Sequence, residues 1–130
     1  MGLQEKRAIQ EAQEKWLPKR KQELQAFAGT EIAYEVAWDG FADDAKGINW
    51  LENNGPEIVA QAFRVLCGDQ VGKDAVKAAV KKVLFKNTKE AKDKKLSFES
   101  GTLEVCCAYA LSPGGRFTHH DIKKFLEEKL

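Results

Sequence analysis

Residues 31–39 alternate without exception between large apolar side chains and polar or small ones. A period of two is that of a β-strand, whose successive side chains point to opposite faces of the sheet. The large side chains are Ile32, Tyr34, Val36 and Trp38, all β-branched or aromatic residues that favour strands. The alternation predicts a strand with this face buried beneath helices, while its carboxylate-bearing neighbours face water.

Several other segments have apolar residues at helical spacing. Pro18 interrupts the first of them, and a kink or break is expected near Trp16–Pro18, because proline lacks a backbone donor and disfavours helical dihedrals in the residue before it. Thr118 and Asp121 have the spacing of a capping box and predict the start of the last helix. The predicted helices are residues 3–28, 56–66, about 73–86, and a final helix that follows Thr118.

Loops and a hairpin are predicted between these helices. Residues 40–55 are rich in Gly, Asp and Asn and predict a long loop, with a helical turn around Ile48–Glu52. Residues 87–95 predict a solvated connection, and residues 112–115 a further loop. Alternation on both sides of a Ser-Gly turn predicts a hairpin within residues 96–109.

The predicted order of elements is α-β-α-α-β-β-α. Helices and strands do not alternate strictly, so a doubly wound parallel sheet is not expected. The sequence therefore predicts an α+β protein with a small, mainly antiparallel sheet of about three strands, packed on one face by helices. A length of 130 residues indicates one domain, residues 1–130.

Composition excludes some function classes. Twenty-one basic residues against twenty acidic ones give a formal charge of +1, so no general attraction to nucleic acid or acidic lipid is expected. No apolar run approaches the ~20 residues that cross a bilayer, and no secretory signal is visible near the N-terminus. Three cysteines, an odd number, favour a reducing, cytoplasmic location over a disulfide framework.

The residues that could carry chemistry do not form a known site pattern. Cys106-Cys107 and His119-His120 are adjacent pairs whose side chains diverge, and the CxxC spacing typical of zinc sites is missing. The acidic residues from Asp39 to Glu52 do not follow the calcium-loop spacing, and no glycine-rich phosphate loop is present. The sequence predicts no metal, no cofactor and no catalytic residue.

Charge is unevenly distributed along the chain. Residues 30–60 hold seven acidic residues and one basic, a local charge of −6, whereas residues 73–95 hold nine lysines and three acidic residues, a local charge of +6. The two blocks either neutralise one another in the fold or leave an acidic surface for a basic protein partner. The second reading predicts a non-enzymatic protein-binding module, inhibitor-, immunity- or adaptor-like, that uses the acidic strand face and loop at 31–57. Its candidate binding residues are Glu35, Asp39, Phe41, Asp43, Asp44 and Trp50, with the two aromatic residues as exposed anchors. The sequence leaves open whether Trp50 is exposed or packs into the core.

Two alternatives from other classes stay open. A small-ligand protein or small enzyme needs a pocket between sheet and helices, for which Tyr34, Trp38, Cys107 and His119 are candidates. Weak nucleic-acid binding through the lysine-rich segment 73–95 is the other alternative, but this segment lacks arginine and interleaved aromatic residues.

Overall fold

A four-stranded sheet carries a layer of helices on one face. The computed structural model describes residues 2–111 and 114–130, so the loop predicted at 112–115 begins outside the described residues. The helices are α1 (Leu3–Glu11), α2 (Leu17–Ala28), α3 (Ala45–Asn54), α4 (Pro56–Leu66), α5 (Gln70–Ala79) and α6 (His119–Lys129). The strands are β1 (Ala33–Val36), β2 (Lys82–Asn87), β3 (Lys95–Glu99) and β4 (Thr102–Cys107). Short 3₁₀ turns occur at Trp38–Phe41 and Ala91–Asp93.

The strands lie in the order β1-β2-β4-β3. β2 pairs in parallel with both β1 and β4, and β3 pairs antiparallel with β4. The predicted α+β class, with helices covering one face of the sheet, is confirmed. The sheet has four strands instead of about three, and it is mixed instead of mainly antiparallel, because a strand was missed in the sequence.

The missed strand is β2, which begins inside the segment predicted as a helix over 73–86 and ends at Asn87, the first residue of the predicted connection. The helix α5 ends at Ala79, and Val80 is extended, with φ −92° and ψ 119°. Val76, Val80 and Val83 satisfy helical spacing, but Val83 also alternates with Phe85 in a strand pattern. Val83 and Phe85 are fully buried against the helices. The burial of these two side chains on a central strand therefore outweighs the helical periodicity, and the segment forms a strand.

The strand β1 is shorter than the alternating segment that predicted it. It spans Ala33–Val36, and the chain then enters the 3₁₀ turn. Ile32 and Val36 are buried as expected, Tyr34 and Trp38 are partly buried, and Glu35 is exposed. The alternation therefore predicted the buried face correctly but overestimated the length of the strand.

The long loop predicted at 40–55 is largely the helix α3. Asp44 is its N-cap, and its carboxylate accepts a hydrogen bond from the backbone N–H of Gly47 at 2.8 Å. Gly47 is buried, and an added Cβ there would come within 2.5 Å of the Asp44 carboxylate. Glycine weakens helices in general, but at position 47 a larger residue would collide with the carboxylate that caps α3.

Pro18 does not break the N-terminal helical segment. Residues Ala12–Trp16 form a π-helical turn, and α2 resumes at Leu17 with Pro18 in its first turn. Proline is tolerated there because the preceding turn is a wider π-helical turn, in which the Leu17 N–H donates to the carbonyl oxygen of Ala12, in place of the regular α-helical turn that proline would disrupt. The expected kink is therefore a local widening of a continuous helix.

The core lies between the sheet and the central helix α4, which packs against α2, α3, α5 and α6. At the start of α6 the predicted capping box is confirmed, with Thr118 and Asp121 exchanging side-chain-to-backbone hydrogen bonds. No described helix has the length and apolarity needed to cross a membrane. The largest fully buried side chains are Tyr109, Phe41, Phe63, Phe85, Leu24, Ile32, Leu51, Leu103, Ile122, Leu126, Val59 and Val76.

Arg20 connects three helices through its guanidinium group. It donates from Nε to Glu52 on α3 at 3.0 Å, and from Nη1 to Glu57 on α4 and Glu23 on α2. Burial of Arg20 opposes its charge, but the hydrogen bond to Glu52 and the neighbouring carboxylates outweigh this and raise its pKa. The side chain is only 17% exposed, so this network is more than a surface ion pair.

We expect Arg20→Met to lower the free energy of unfolding by about 1–3 kcal/mol, because three carboxylates would then lie close together without their shared cation. Urea denaturation measures the change. Lys21→Met is the matched control. Within the described residues the ion pair of Lys21 is a long contact with exposed Glu31, at 3.8 Å, so this substitution should lower the free energy of unfolding by at most about 1 kcal/mol. Equal losses in the two variants would contradict a connecting role for Arg20.

Asp121 gives a pH-dependent prediction. The backbone N–H of Thr118 donates to its carboxylate and lowers the pKa of Asp121. A carboxylate with a lowered pKa in the folded state stabilises the fold above its ordinary pKa, and this contribution is lost as the pH falls through the folded value. The unfolding free energy of the wild type should therefore fall more between pH 6 and pH 3 than that of Asp121→Asn. Asp74→Asn, on an exposed position of α5, controls for removal of a carboxylate and should behave as the wild type.

Candidate functional site

The carboxyl ends of β1, β2 and β4 lie at the same edge of the sheet, because these three strands are parallel. Functional residues commonly lie at this edge in sheets with parallel strands. Five of the six predicted binding residues follow β1 there, in the 3₁₀ turn or near and within α3. Glu35, the sixth, lies within β1.

Asn87, the last residue of β2, connects three other segments at this edge of the sheet through its side chain. Its Nδ2 donates to the carbonyl oxygen of Gly40 at 2.9 Å and to Oδ2 of Asp44 at 3.0 Å. Its Oδ1 accepts the backbone N–H of Tyr109, just beyond β4. A Cβ on Gly40 would lie 3.2 Å from the carbonyl oxygen of Asn87, so the close approach of this turn favours glycine. One amide side chain therefore connects the 3₁₀ turn, the cap of α3 and the end of β4.

Arg116 continues the same network on the other side of Tyr109. Its Nε and Nη2 both donate to the carbonyl oxygen of Tyr109, at 3.0 and 2.7 Å, and its Nη1 donates to Oδ1 of Asn54 at 3.4 Å. The guanidinium carbon lies 5.1 Å from the ring centroid of Trp50, a cation–π distance. We refer to Trp50, Asn54 and Arg116 as the Trp50 platform.

The two aromatic residues expected to be exposed anchors have opposite environments. Trp50 is 45% exposed, as a surface anchor requires. Phe41 is fully buried, and its ring stacks on Tyr109 with centroids 5.9 Å apart. The expectation that Phe41 is exposed is wrong, because its position at the end of the 3₁₀ turn directs it into the core.

Lysines of the basic block neutralise part of the acidic block. Glu35 accepts from Lys82 at 2.8 Å, and Asp43 accepts from Lys89 at 2.8 Å. The hydrogen bond from Lys89 lowers the pKa of Asp43, which keeps this exposed carboxylate charged. Asp44 is used by the cap of α3 and by Asn87, as described above. Among the predicted acidic residues, Asp39 is exposed and makes no ion pair within the described ranges.

The lysine-rich segment does not form one basic helical face. Its residues are divided among α5, β2 and the connection to β3. On β2, Lys82 and Lys86 each pair with a glutamate, Glu35 and Glu104, on the sheet face opposite the helices. The single helix on which the nucleic-acid alternative was based is therefore absent from these described residues.

The residues suggested for a ligand pocket do not line one cavity. Tyr34 and Trp38 line a surface groove of about 520 Å³ beside β1. Cys107 is fully buried beneath the helices, and burial raises the pKa of its thiol to about 11. His119 lies at the start of α6, where its ring is tilted against that of His120 with centroids 4.1 Å apart. A protonated, buried thiol is a poor nucleophile, so this arrangement gives no support to cysteine catalysis.

Metal ligands do not converge in the described part of the chain: no group of three or more His, Cys, Asp or Glu side chains could hold an ion there. Comparison with protein families, with curated proteins and with solved structures finds no match for this chain.

Asn87 and Arg116, like Asn54, are residues of this edge that the sequence did not predict. Both act through the backbone of Tyr109, which lies 22 residues after Asn87 and 7 residues before Arg116. An Asn at the end of a strand and an Arg beside a Gly-Gly pair are common features, and neither carries a signal of its own.

Asn87→Ala should lower the free energy of unfolding by about 1–3 kcal/mol, because the Tyr109 N–H and the Gly40 carbonyl lose a partly buried partner. Amide hydrogen exchange should also accelerate in residues 40–44, since the 3₁₀ turn and the cap lose their attachment to β2. Asn53→Ala, at an exposed position of α3, should change stability by less than about 0.5 kcal/mol. Unchanged exchange in Asn87→Ala would contradict the connecting role.

Proposed function

We propose that this protein is a non-enzymatic protein-binding module whose main contact surface is the Trp50 platform. The observation that carries the proposal is the exposed Trp50 ring held beneath a guanidinium that is itself fixed by three hydrogen bonds. Tryptophan and arginine are enriched among the residues that contribute most to protein–protein affinity.

The rigidity of this arrangement supports a binding role. Arg116 is held at the Tyr109 carbonyl and at Asn54, so its side chain loses little conformational freedom when a partner binds. An aromatic ring with a fixed polar neighbour offers a large contact area at low entropic cost. A Trp whose only role was to fill the core would have been covered by neighbouring side chains.

Two exposed carboxylates at the same edge of the sheet favour a partner with basic residues. Asp39 and Asp43 are exposed, and Asp43 is next in sequence to the Asp44 carboxylate that Asn87 connects to Tyr109. Lys89 neutralises Asp43 only through an exposed contact, which a basic partner can replace at small cost. Such rim charges contribute more to association rate and specificity than to affinity.

An inhibitor-like or adaptor-like role in a reducing, cytoplasmic environment agrees with these features. Cys67, Cys106 and Cys107 are free thiols, and burial raises the pKa of each of them. Unpaired and largely unreactive thiols are compatible with a compartment that does not form disulfides.

Trp50→Ala should weaken binding of the partner by at least about tenfold, the effect of losing a central aromatic anchor. The immobilised wild type, Trp50→Ala and Val71→Ala are compared in capture from a lysate of the source cells, and the captured protein is then purified and titrated against each. Val71 on α5 is 81% exposed and is absent from the platform, so Val71→Ala should bind as the wild type. Circular dichroism checks that both variants are folded.

The proposal predicts a protein that binds the wild type and Val71→Ala but does not bind Trp50→Ala. It fails if the lysate yields no such protein. It also fails if the purified partner binds wild type and Trp50→Ala with equal affinity.

A further inference from the structure

β1 is an outermost strand of the sheet and pairs with β2 alone among the described strands, so one of its long sides is free. We call this side the free edge of β1. The backbone N–H groups of Ala33 and Ala37 donate to carbonyl oxygens of Lys81 and Phe85. Odd-numbered residues of β1 therefore direct their backbone groups toward β2, and the even-numbered residues direct theirs toward the free edge.

The fold covers only the beginning of this edge. The N–H of Ile32, just before β1, donates to Oε1 of Gln25 on α2 at 3.2 Å. Tyr34 and Val36 are the next two residues whose N–H and C=O groups point to the free edge, and those groups have no hydrogen-bond partner within residues 2–111 and 114–130. An unpaired row of this kind is the template onto which another strand adds.

A surface groove of about 520 Å³ runs along this part of β1. Three consecutive residues of the strand line it, Tyr34, Glu35 and Val36, although their side chains alternate between the two faces of the sheet. A space reached from both faces must lie at the edge of the strand, beside its backbone. The remaining lining residues are Trp38 and, from the helical segment above, Gln13, Leu17, Pro18 and Lys21.

The two sides of the groove differ in chemistry. Leu17, Pro18 and Trp38 form an apolar wall on the side of the helices. On the opposite sheet face Glu35 is exposed and accepts from Lys82 of β2 at 2.8 Å, so an added strand would bring a second cation to this carboxylate. Glu31 before the strand lies 3.8 Å from Lys21, and Asp39 after it is exposed. A strand added to β1 would therefore place alternate side chains against an apolar wall and beside carboxylates.

We propose that β1 binds an extended segment of a partner protein as a fifth strand, and that this segment alternates apolar and basic side chains. Strand addition supplies main-chain hydrogen bonds, and the alternating side chains supply specificity. A basic residue next to Glu35 makes a favourable cross-strand pair. The groove shares no residue with the Trp50 platform, so this inference does not depend on the function proposed above.

The probe for this proposal is a dye-labelled peptide of seven alternating lysine and valine residues with blocked ends, titrated against the full chain by fluorescence anisotropy. We expect saturable binding, and slowed hydrogen exchange at the Tyr34 and Val36 amides. Exchange at the Ala33 and Glu35 amides, which already donate to β2, should not change. A control peptide in which glutamate replaces every lysine should not bind, because it would meet Glu35 with like charge.

Two N-methylated probes separate strand addition from simple electrostatic attraction. One is methylated at the backbone nitrogens of all valines, and the other at those of all lysines. Only one set of nitrogens faces β1 in an added strand, so one probe should lose binding and the other should keep it. Equal binding of both would overturn the proposal, as would a failure of the unmethylated probe to bind or to protect Tyr34 and Val36.

Glu35→Lys should weaken binding of the probe by about five- to tenfold, since it turns an attractive cross-strand pair into a repulsive one. Glu99→Lys makes the same charge change at an exposed position on β3 and should bind as the wild type. Equal affinities in the two variants contradict the placement at β1. Concentration-dependent protection of Tyr34 and Val36 without any peptide, together with self-association in sedimentation, would identify a second copy of this chain as the occupant and overturn the proposal.

Discussion

The structure depends on the two-sided hydrogen bonding of β2. This strand pairs in parallel with β1 on one side and with β4 on the other, so its backbone polar groups are used on both edges. A parallel pair requires a long crossover, and the three helices α3, α4 and α5 supply it between β1 and β2. The same pairing brings the carboxyl ends of three strands together, and Asn87 can bind the 3₁₀ turn and Tyr109 at once only because it ends the central strand.

The sequence predicted those parts of the fold that depend on local patterns. The alternation at Ile32–Val36, the start of α4 at Pro56 and the capping box at Thr118 each involve residues close together in the chain, and each is confirmed. β2 was missed because Val83 fits two periodicities, and only the presence of neighbouring strands selects one of them. The sequence did not determine whether Trp50 is exposed. The positions of Asn87 and Arg116 depend on their hydrogen bonds to Tyr109, and no local sequence pattern predicts these bonds.

The acidic and basic blocks, which nearly cancel in the formal net charge of +1, also contact one another in the fold. β2 carries lysines of the basic block into the sheet beside the acidic β1, so that Lys82 meets Glu35, and the connection after β2 brings Lys89 to Asp43. These contacts are exposed and each is worth little on its own, but together they reduce the acidic surface expected from local charge alone. Under the proposed function, recognition would therefore depend on the Trp50 platform more than on an extended acidic face.

The strand order β1-β2-β4-β3 leaves β1 and β3 as edge strands, and the two are not equivalent. At β3 a groove of about 450 Å³ is lined by one strand residue, Leu96, together with residues of α6 and the segments before β3 and α6. That space lies between the sheet and the helix, and an added strand would not fill it. At β1 the groove is lined by residues of both strand faces, so it lies alongside free backbone groups. Proteins usually protect such edges with charge or with a covering segment. Here the protection stops at Ile32 and Gln25, two residues short of the part of β1 that borders the groove.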